Sequence, residues 1–201
     1  MASERDEQAR AEFIEEQKGL DISKLVILDE SSVNVNLTSR YGWGASNKRI
    51  RSVMPKRRGK NITLLATMSN KGMLVDSSVT FEGALNTATF EVYVREKLIP
   101  SLPVGSMVVL DNYVVHHVKI IKEAIEEAGM KLLFLPAYSP DLSPIELAFS
   151  KIKQDMRRRG IREKDKLAQG LEEALATISE QDAAAYFKHC GYIDPAAIEG
   201  Q

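Results

Sequence analysis

Cysteine is almost absent from the 201 residues: Cys190 stands alone, so no internal disulfide can form and a secreted, disulfide-stapled scaffold is excluded. No apolar run approaches the ~20 residues that a membrane-spanning helix needs. The acidic opening stretch, Met1 to Gly19, holds no basic segment followed by an apolar one, as an export signal would. The expectation is a cytoplasmic protein with no membrane partner. Net charge is also nearly absent, with 27 Lys and Arg against 28 Asp and Glu, which excludes gripping nucleic acid by overall charge alone. What remains, 44% hydrophobic and 27% charged residues, is the make-up of one globular domain with one core.

The charge is segregated rather than missing. From Arg40 to Lys60 the chain carries Arg40, Lys48, Arg49, Arg51, Lys56, Arg57, Arg58 and Lys60 with no acid among them. A second basic run holds Lys151, Lys153, Arg157, Arg158, Arg159 and Arg162, and the acids Glu4, Asp6, Glu7, Glu12, Glu15, Glu16 and Asp21 offset both. Such runs read either as solvated faces or as phosphate contacts.

Residues 4–18 read as a polar helix weakly packed on the domain edge, with no chemistry assigned. Lys24–Asp29 (KLVILD) has the continuous apolar pattern of a strand buried on both faces and ends in an acid. Ser32–Leu37 alternates like an antiparallel neighbour, and the basic stretch Tyr41–Gly59 reads as a loop. Asn61–Met68 is a third strand, turning at Ser69–Gly72 into a further strand near Leu74–Phe81. The spacing predicts a helix over Thr87–Ile99 stopped by Pro100, then a strand, Met107–Leu110, again followed by an acid, Asp111. A helix over Val118–Ala128 closed by Gly129, a strand Lys131–Leu135 and helices over 144–159, 163–178 and 180–188 complete the chain. This order predicts an α/β fold, a mixed five-stranded sheet with helices on both faces, in which strands 24–29 and 107–111 are adjacent. The expected organisation is an N-terminal helical extension (1–23), one catalytic domain with C-terminal helices (24–192) and a tail (193–201).

Three acids then stand out. Asp29 and Asp111 at strand ends can each be a turn or cap residue, and Glu146 in Ser143-Pro144-Ile145-Glu146 fits a capping box with proline at the first helical position. The predicted topology nevertheless brings all three to one end of the sheet, where ligands bind in open sheets of this type. Three converging carboxylates repel unless a cation neutralises them. Oxygen donors, with one Cys and three His in the chain, favour Mg²⁺ or Mn²⁺ over Zn²⁺. A pair of such ions ~4 Å apart is the usual device for in-line displacement at phosphodiesters. On the long helix Glu146, Ser150, Lys153 and Arg157 share one face, and Ile145, Phe149, Ile152 and Met156 form the buried stripe.

Asp29-Glu30-Ser31, Asp111-Asn112 with His116, and the run Leu135-Pro136-Ala137-Tyr138-Ser139-Pro140-Asp141-Leu142-Ser143-Pro144-Ile145-Glu146 together resemble the catalytic domain of DDE transposases. The branch most similar is the bacterial insertion-sequence 630 family of the mariner superfamily, whose second Asp and Glu are typically separated by 34 residues, as Asp111 and Glu146 are here. Arg40-Tyr41-Gly42, Arg58 to Thr63 and His189 to Tyr192 extend the similarity over roughly Leu25 to Tyr192. Ala137, Ser143 and Phe149 replace the usual Pro, Asn and Trp.

The resemblance implies an RNase H-like fold, two Mg²⁺ ions with Mn²⁺ as the alternative, and cut-and-paste movement of an insertion element into a TA target. Carried over, Asp29 bridges the ions, Asp111 holds one and Glu146 the other. Arg49, Arg57, Arg58, Lys60, Lys153 and Arg157 are the candidate DNA contacts. Asn112, His116 and Tyr138 match the motif without being evident ligands; His116 reads either as a phosphate contact or polarising group, or as a cap or packing residue. Trp43 reads either as a base-stacking residue or as a loop anchor. The expected partners are element-end DNA, a second copy in a homodimer, and an upstream helix-turn-helix reading frame joined by frameshifting. A truncated or silent copy acting as a DNA-binding or dimerising regulator is the alternative function.

Overall fold

A computed structural model describes residues 5–193 apart from 40, 48, 50, 52–55, 57, 58 and 112–117. Its helices are α1 (Glu7–Gln17), α2 (Thr87–Tyr93), α3 (Ile99–Ser101), α4 (Val118–Glu127), α5 (Pro144–Arg159), α6 (Asp165–Leu175) and α7 (Glu180–His189). The strands are β1 (Leu25–Val33), β2 (Ile62–Ser69), β3 (Gly72–Met73), β4 (Val79–Glu82), β5 (Met107–Leu110) and β6 (Lys131–Phe134). The sheet order is β3-β2-β1-β5-β6, with β4 also on β2. β1 pairs antiparallel with β2 and parallel with β5, and β5 is parallel with β6.

The sheet is mixed, as expected, but six strands rather than five are present among the described residues. Two strand boundaries also differ from the sequence reading. The alternating Ser32–Leu37 stretch is not a separate antiparallel strand: β1 runs without a break to Val33, because β2 supplies ladder partners along the whole of Ile27–Val33. The strand expected near Leu74–Phe81 is split by a 3₁₀ turn at Val75–Ser77, so β3 and β4 pair separately with opposite ends of β2. The helix from Thr87 also differs. After α2 it widens into a π-helical stretch, Val94–Leu98, and Pro100 sits inside the closing turn α3 rather than beyond it.

Both faces of the sheet are buried, which explains the continuous apolar runs of β1 and β5. Leu25 and Ile27 of β1 and Val109 of β5 lie in one cluster with Ile145, Phe149 and Ile152 of α5 and Leu171 and Phe187 of α6 and α7. Val26, Leu28, Val108 and Leu110 face the other way, against Phe90, Val94, Leu98, Ile121 and Ile125. The alternation follows from the two-residue period of strands. No helix among the described residues is long and apolar enough to cross a membrane.

The N-terminal helix departs most from the sequence reading. α1 is not weakly packed: Arg10, Phe13 and Gln17, at helical spacings of three and four, are all buried. Phe13 joins the main core, and Gln17 Nε2 donates to the Cys190 carbonyl at 2.9 Å. Burial pushes the Cys190 thiol up to about 11, which keeps it inert as a nucleophile.

Candidate active site

The register of two neighbouring strands assembles the first half of the site. Leu28 pairs with Leu110 in the parallel β1–β5 ladder, so Asp29 and Asp111, each the next residue, stand side by side on strands ~5 Å apart. β1 continues past Asp29 while β5 stops at Leu110. Asp29 is thus held in a ladder with β2, opposite Ala66, and Asp111 lies just beyond the end of β5. By alternation Asp29 shares the face of Leu25 and Ile27, the face that α5 covers.

The second half comes from the turn before α5. Pro140–Leu142 form a 3₁₀ turn, Ser143 is the N-cap residue and Pro144 is the first helical residue. The Ser143 side chain makes no capping bond, so the capping box that the sequence allowed does not form. Among the described residues the Glu146 carboxylate has no hydrogen-bond or ion-pair partner, and it is exposed in the first turn of α5, where a helix favours negative charge. Its apolar neighbour Ile145 is completely buried, which fixes the helix on the sheet and leaves Glu146 at the rim.

Asp29 feels both other acids. Burial, chiefly, lifts its carboxyl from 3.8 to about 7; the charges of Glu146, Asp111 and Glu30 add to the rise. A 2.7 Å hydrogen bond from the Glu30 backbone N–H to Asp29 Oδ1 works against it. Beside Asp29 and Asp111 lies a cavity of about 250 Å³ walled by Leu28, Leu65, Leu85, Phe90 and Leu110. Glu146 stands outside that cavity, on the α5 side.

The loop leading to Glu146 is fastened from two remote elements that the sequence reading passed over. Arg10 of α1 makes a two-pronged bond to Asp141, Nη1 to Oδ1 at 3.1 Å and Nη2 to Oδ2 at 2.7 Å. The Tyr192 hydroxyl donates to the Leu142 carbonyl at 3.1 Å from a buried position. Tyr138, half exposed, takes the left-handed conformation at φ 54°, an uncommon one for a residue with a side chain. The signal for Arg10 was its place on one face with Phe13 and Gln17, a stripe too polar for a search based on hydrophobic period.

The candidate DNA contacts divide. Lys153 and Arg157 lie on the Glu146 face of α5, half-buried, with no ion-pair partner among the described residues. Their neighbours are engaged: Lys151 with Asp182, Arg158 and Arg159 with Asp155, and Arg159 also with Glu173. Arg49 is exposed and unpaired among the described residues. Lys60 is instead ion-paired with Glu82, which Lys164 also contacts. Arg57, Arg58, Asn112 and His116 lie outside the described residues.

Fold and site together define a nuclease class of RNase H-like type, in which acids from two adjacent strands and a following helix meet at one sheet end. The chain belongs to the DDE superfamily of endonucleases, whose family model matches residues 24–168. Solved structures agree. Mos1 transposase in a paired-end complex with the left transposon end superposes with a TM-score of 0.77 at 17% identity, over 95% of this chain and 61% of that one. The mariner Mos1 paired-end complex with Mg gives 0.66 at 17% identity, over 96% and 61%. The Mos1 catalytic domain with raltegravir and Mn gives 0.67 at 15% identity, over 94% and 92%. At such identities the likeness shows the fold, that of the transposase catalytic domain. The chain spans about three fifths of the length of the first of these transposase structures. No curated protein matches it.

The donor set fits a hard divalent cation. It consists of carboxylates, one of them held close to neutrality by burial and by the other two, and a cation placed among them would reverse that penalty. Among the described residues no three acid, histidine or cysteine side chains already close into a metal cage. Asp111 and Glu146 are exposed and have the rotamer freedom to close on an ion.

Proposed function

We propose that this chain is the catalytic portion of an insertion-sequence transposase, cutting DNA at the element ends and joining it to a TA target, with Asp29, Asp111 and Glu146 holding two Mg²⁺ or Mn²⁺ ions. The observation that carries the reading is the Leu28–Leu110 register, which sets two carboxylates side by side, together with the charge that Glu146 adds at Asp29. The family supports nuclease chemistry at this site, and the similar Mos1 structures are complexes with transposon ends and with Mn or Mg.

The bound ions supply positive charge that offsets the negative charge developing on the attacking and departing oxygens. The protein contributes the rest. Asp29, rigid within β1, would hold the ions together with Asp111 and Glu146. Lys153 and Arg157 continue the α5 face along the DNA backbone and position phosphates without reading bases. The attacking oxygen belongs to water in cleavage and to the freed 3′-hydroxyl in joining. Element-end recognition and pairing of two ends in a homodimer belong to the same proposal, as do an upstream helix-turn-helix partner and the 1–23, 24–192, 193–201 division.

The test is nicking of supercoiled DNA at low salt with Mg²⁺ or Mn²⁺. Wild-type protein is expected to nick, and Asp111→Asn and Glu146→Gln are each expected to lose at least about 100-fold, since removing even an outer partner of a metal ligand costs 10- to 100-fold. Nicking that survives both substitutions, or that persists in EDTA, would overturn the assignment.

A further inference from the structure

The loop that follows β1 carries the two most exposed aromatic side chains among the described residues, Tyr41 at 90% and Trp43 at 102% exposure. It is not a loose tip at its root. Asn34 Nδ2 donates to Asn61 Oδ1 at 3.1 Å, tying the two ends of the excursion together. Arg162, from the turn between α5 and α6, donates through Nη1 to the Val35 and Leu37 carbonyls at 2.9 and 3.0 Å. Ser39 Oγ donates to the Tyr41 carbonyl at 2.6 Å. A cation and three polar side chains therefore fix the stem, while the rings beyond it meet only solvent.

Ser39 also lines a groove of about 460 Å³ with Lys151, Gln154, Asp155, Arg157, Arg158 and Thr177. Within it Lys151 and Arg158 are already paired with acids, and Arg157 alone of the cations lacks such a partner among the described residues. Arg49 and Arg51, further along the same loop, are exposed and equally unpaired. Two solvent-facing rings, on a loop whose Ser39 shares a groove with Arg157 and which itself carries Arg49 and Arg51, supply the two kinds of group that hold single-stranded nucleic acid: bases stack on rings and phosphates meet cations. Arg157 lies eleven residues along α5 from Glu146, ~16 Å at the helical rise, so this site is separate from the carboxylates.

We infer that Tyr41 and Trp43 form a stacking platform for an unpaired nucleobase, with Arg157 in the adjoining groove taking a neighbouring phosphate. The inference rests on DNA being the substrate, and it adds a preference for DNA with an unpaired strand over an intact duplex.

Trp43 is the only tryptophan of the chain, so its fluorescence reports the platform directly. The full chain in EDTA is titrated with a blunt duplex, the same duplex bearing a single-stranded overhang, and a single-stranded oligonucleotide, with binding followed in parallel by anisotropy of a labelled strand. The expected result is quenching by the overhang and the single strand and little change with the blunt duplex. Trp43→Ala is expected to weaken overhang binding by about 10- to 100-fold, with Trp43→Phe recovering most of it, as stacking energies indicate. Arg157→Gln is expected to weaken all three DNAs alike and to lower the salt slope by about one.

Unchanged emission at saturating overhang, or unaltered overhang binding by Trp43→Ala, would overturn the inference. So would a blue shift that grows with protein concentration in the absence of DNA, which would assign the rings to a second copy of the chain. Because no metal is present, binding and nicking fail separately: stacking without metal-dependent nicking would sink the proposed activity, and nicking without quenching would sink the platform alone.

Discussion

Asp29→Asn is expected to stabilise the metal-free protein at pH 8 and to remove its stabilisation by Mg²⁺. The Asp29 carboxyl lies at about 7 in the folded protein against an ordinary value of 3.8. Between those values the folded state keeps a proton that the unfolded state has lost, so wild-type stability falls as pH rises through this window. The penalty is absent below pH ~4 and complete above pH ~7. At about 1.4 kcal/mol for each pH unit it reaches about 4 kcal/mol at most. Because Asp29 is partly solvated, half of that is the working figure, or about 4–8 °C in melting temperature for a domain of this size. Asparagine keeps an oxygen to accept the Glu30 N–H, so the variant isolates the charge.

The assay is thermal unfolding of both proteins at pH 4, 6 and 8, in EDTA and in millimolar Mg²⁺ or Mn²⁺. In EDTA the advantage of Asp29→Asn should grow from nothing at pH 4 to its full size at pH 8. In metal, wild type should recover by mass action and the variant should not. An advantage that does not change with pH, or equal stabilisation of both proteins by metal, would refute the reasoning that burial and two nearby carboxylates hold Asp29 close to neutrality.

Two further outcomes follow from interactions outside the acid cluster. Asp141→Ala leaves the buried Arg10 guanidinium with only its 3.8 Å contact to Glu7, whereas Arg10→Leu replaces it with an apolar side chain and leaves a half-exposed Asp141 in water; urea unfolding should show the aspartate variant to be the less stable by about 1 kcal/mol, and the reverse order would deny that Arg10 is truly buried. The Lys151 ammonium, followed by the Ser179 hydroxyl and backbone, holds the Asp182 carboxyl down at about 2. With its folded value below its unfolded one, Asp182 adds stability at pH above ~4 that disappears as pH falls through ~2, so Asp182→Asn should cost about 1 kcal/mol at pH 7 and almost nothing at pH 2, as read from urea midpoints.

The parts legible in the sequence are those where local chemistry and burial agree. The boundaries of α5, Pro144 and Arg159, are those the pattern indicates, because a proline starts it, Gly160 ends it in the left-handed conformation and an apolar stripe runs between. β5 is equally plain, being a short apolar run that ends at an acid. Asp29 was found as the end of a strand, yet it lies inside one. A strand's end depends on how far its partners reach, and β2 reaches further than the apolar run does. The bonds of Arg10 and Tyr192 are not legible in the sequence because their partners, Asp141 and the Leu142 carbonyl, lie 131 and 50 residues away, and nothing local announces a bond of that span. Lys60 shows the converse: it belongs to a basic run, but a single acid across the sheet edge, Glu82, engages it.

The fastening of α1 has a consequence for how the chain comes into being. Arg10 and Gln17 leave the ribosome well before the groups they hold, Asp141 and the Cys190 carbonyl, which lie 131 and 173 residues further along the chain. A helix of 11 residues does not persist alone in water, so α1 waits as an unstructured lead until its seat has been synthesised. Its docking is a closing step of folding. A nascent chain that already displays Asp29, Asp111 and Glu146 still has the loop ahead of Glu146 unclasped, and only the emergence of α7 and Tyr192 completes the clasp. Order of synthesis thereby delays the clasp on the Glu146 loop until α7 and Tyr192 have been made.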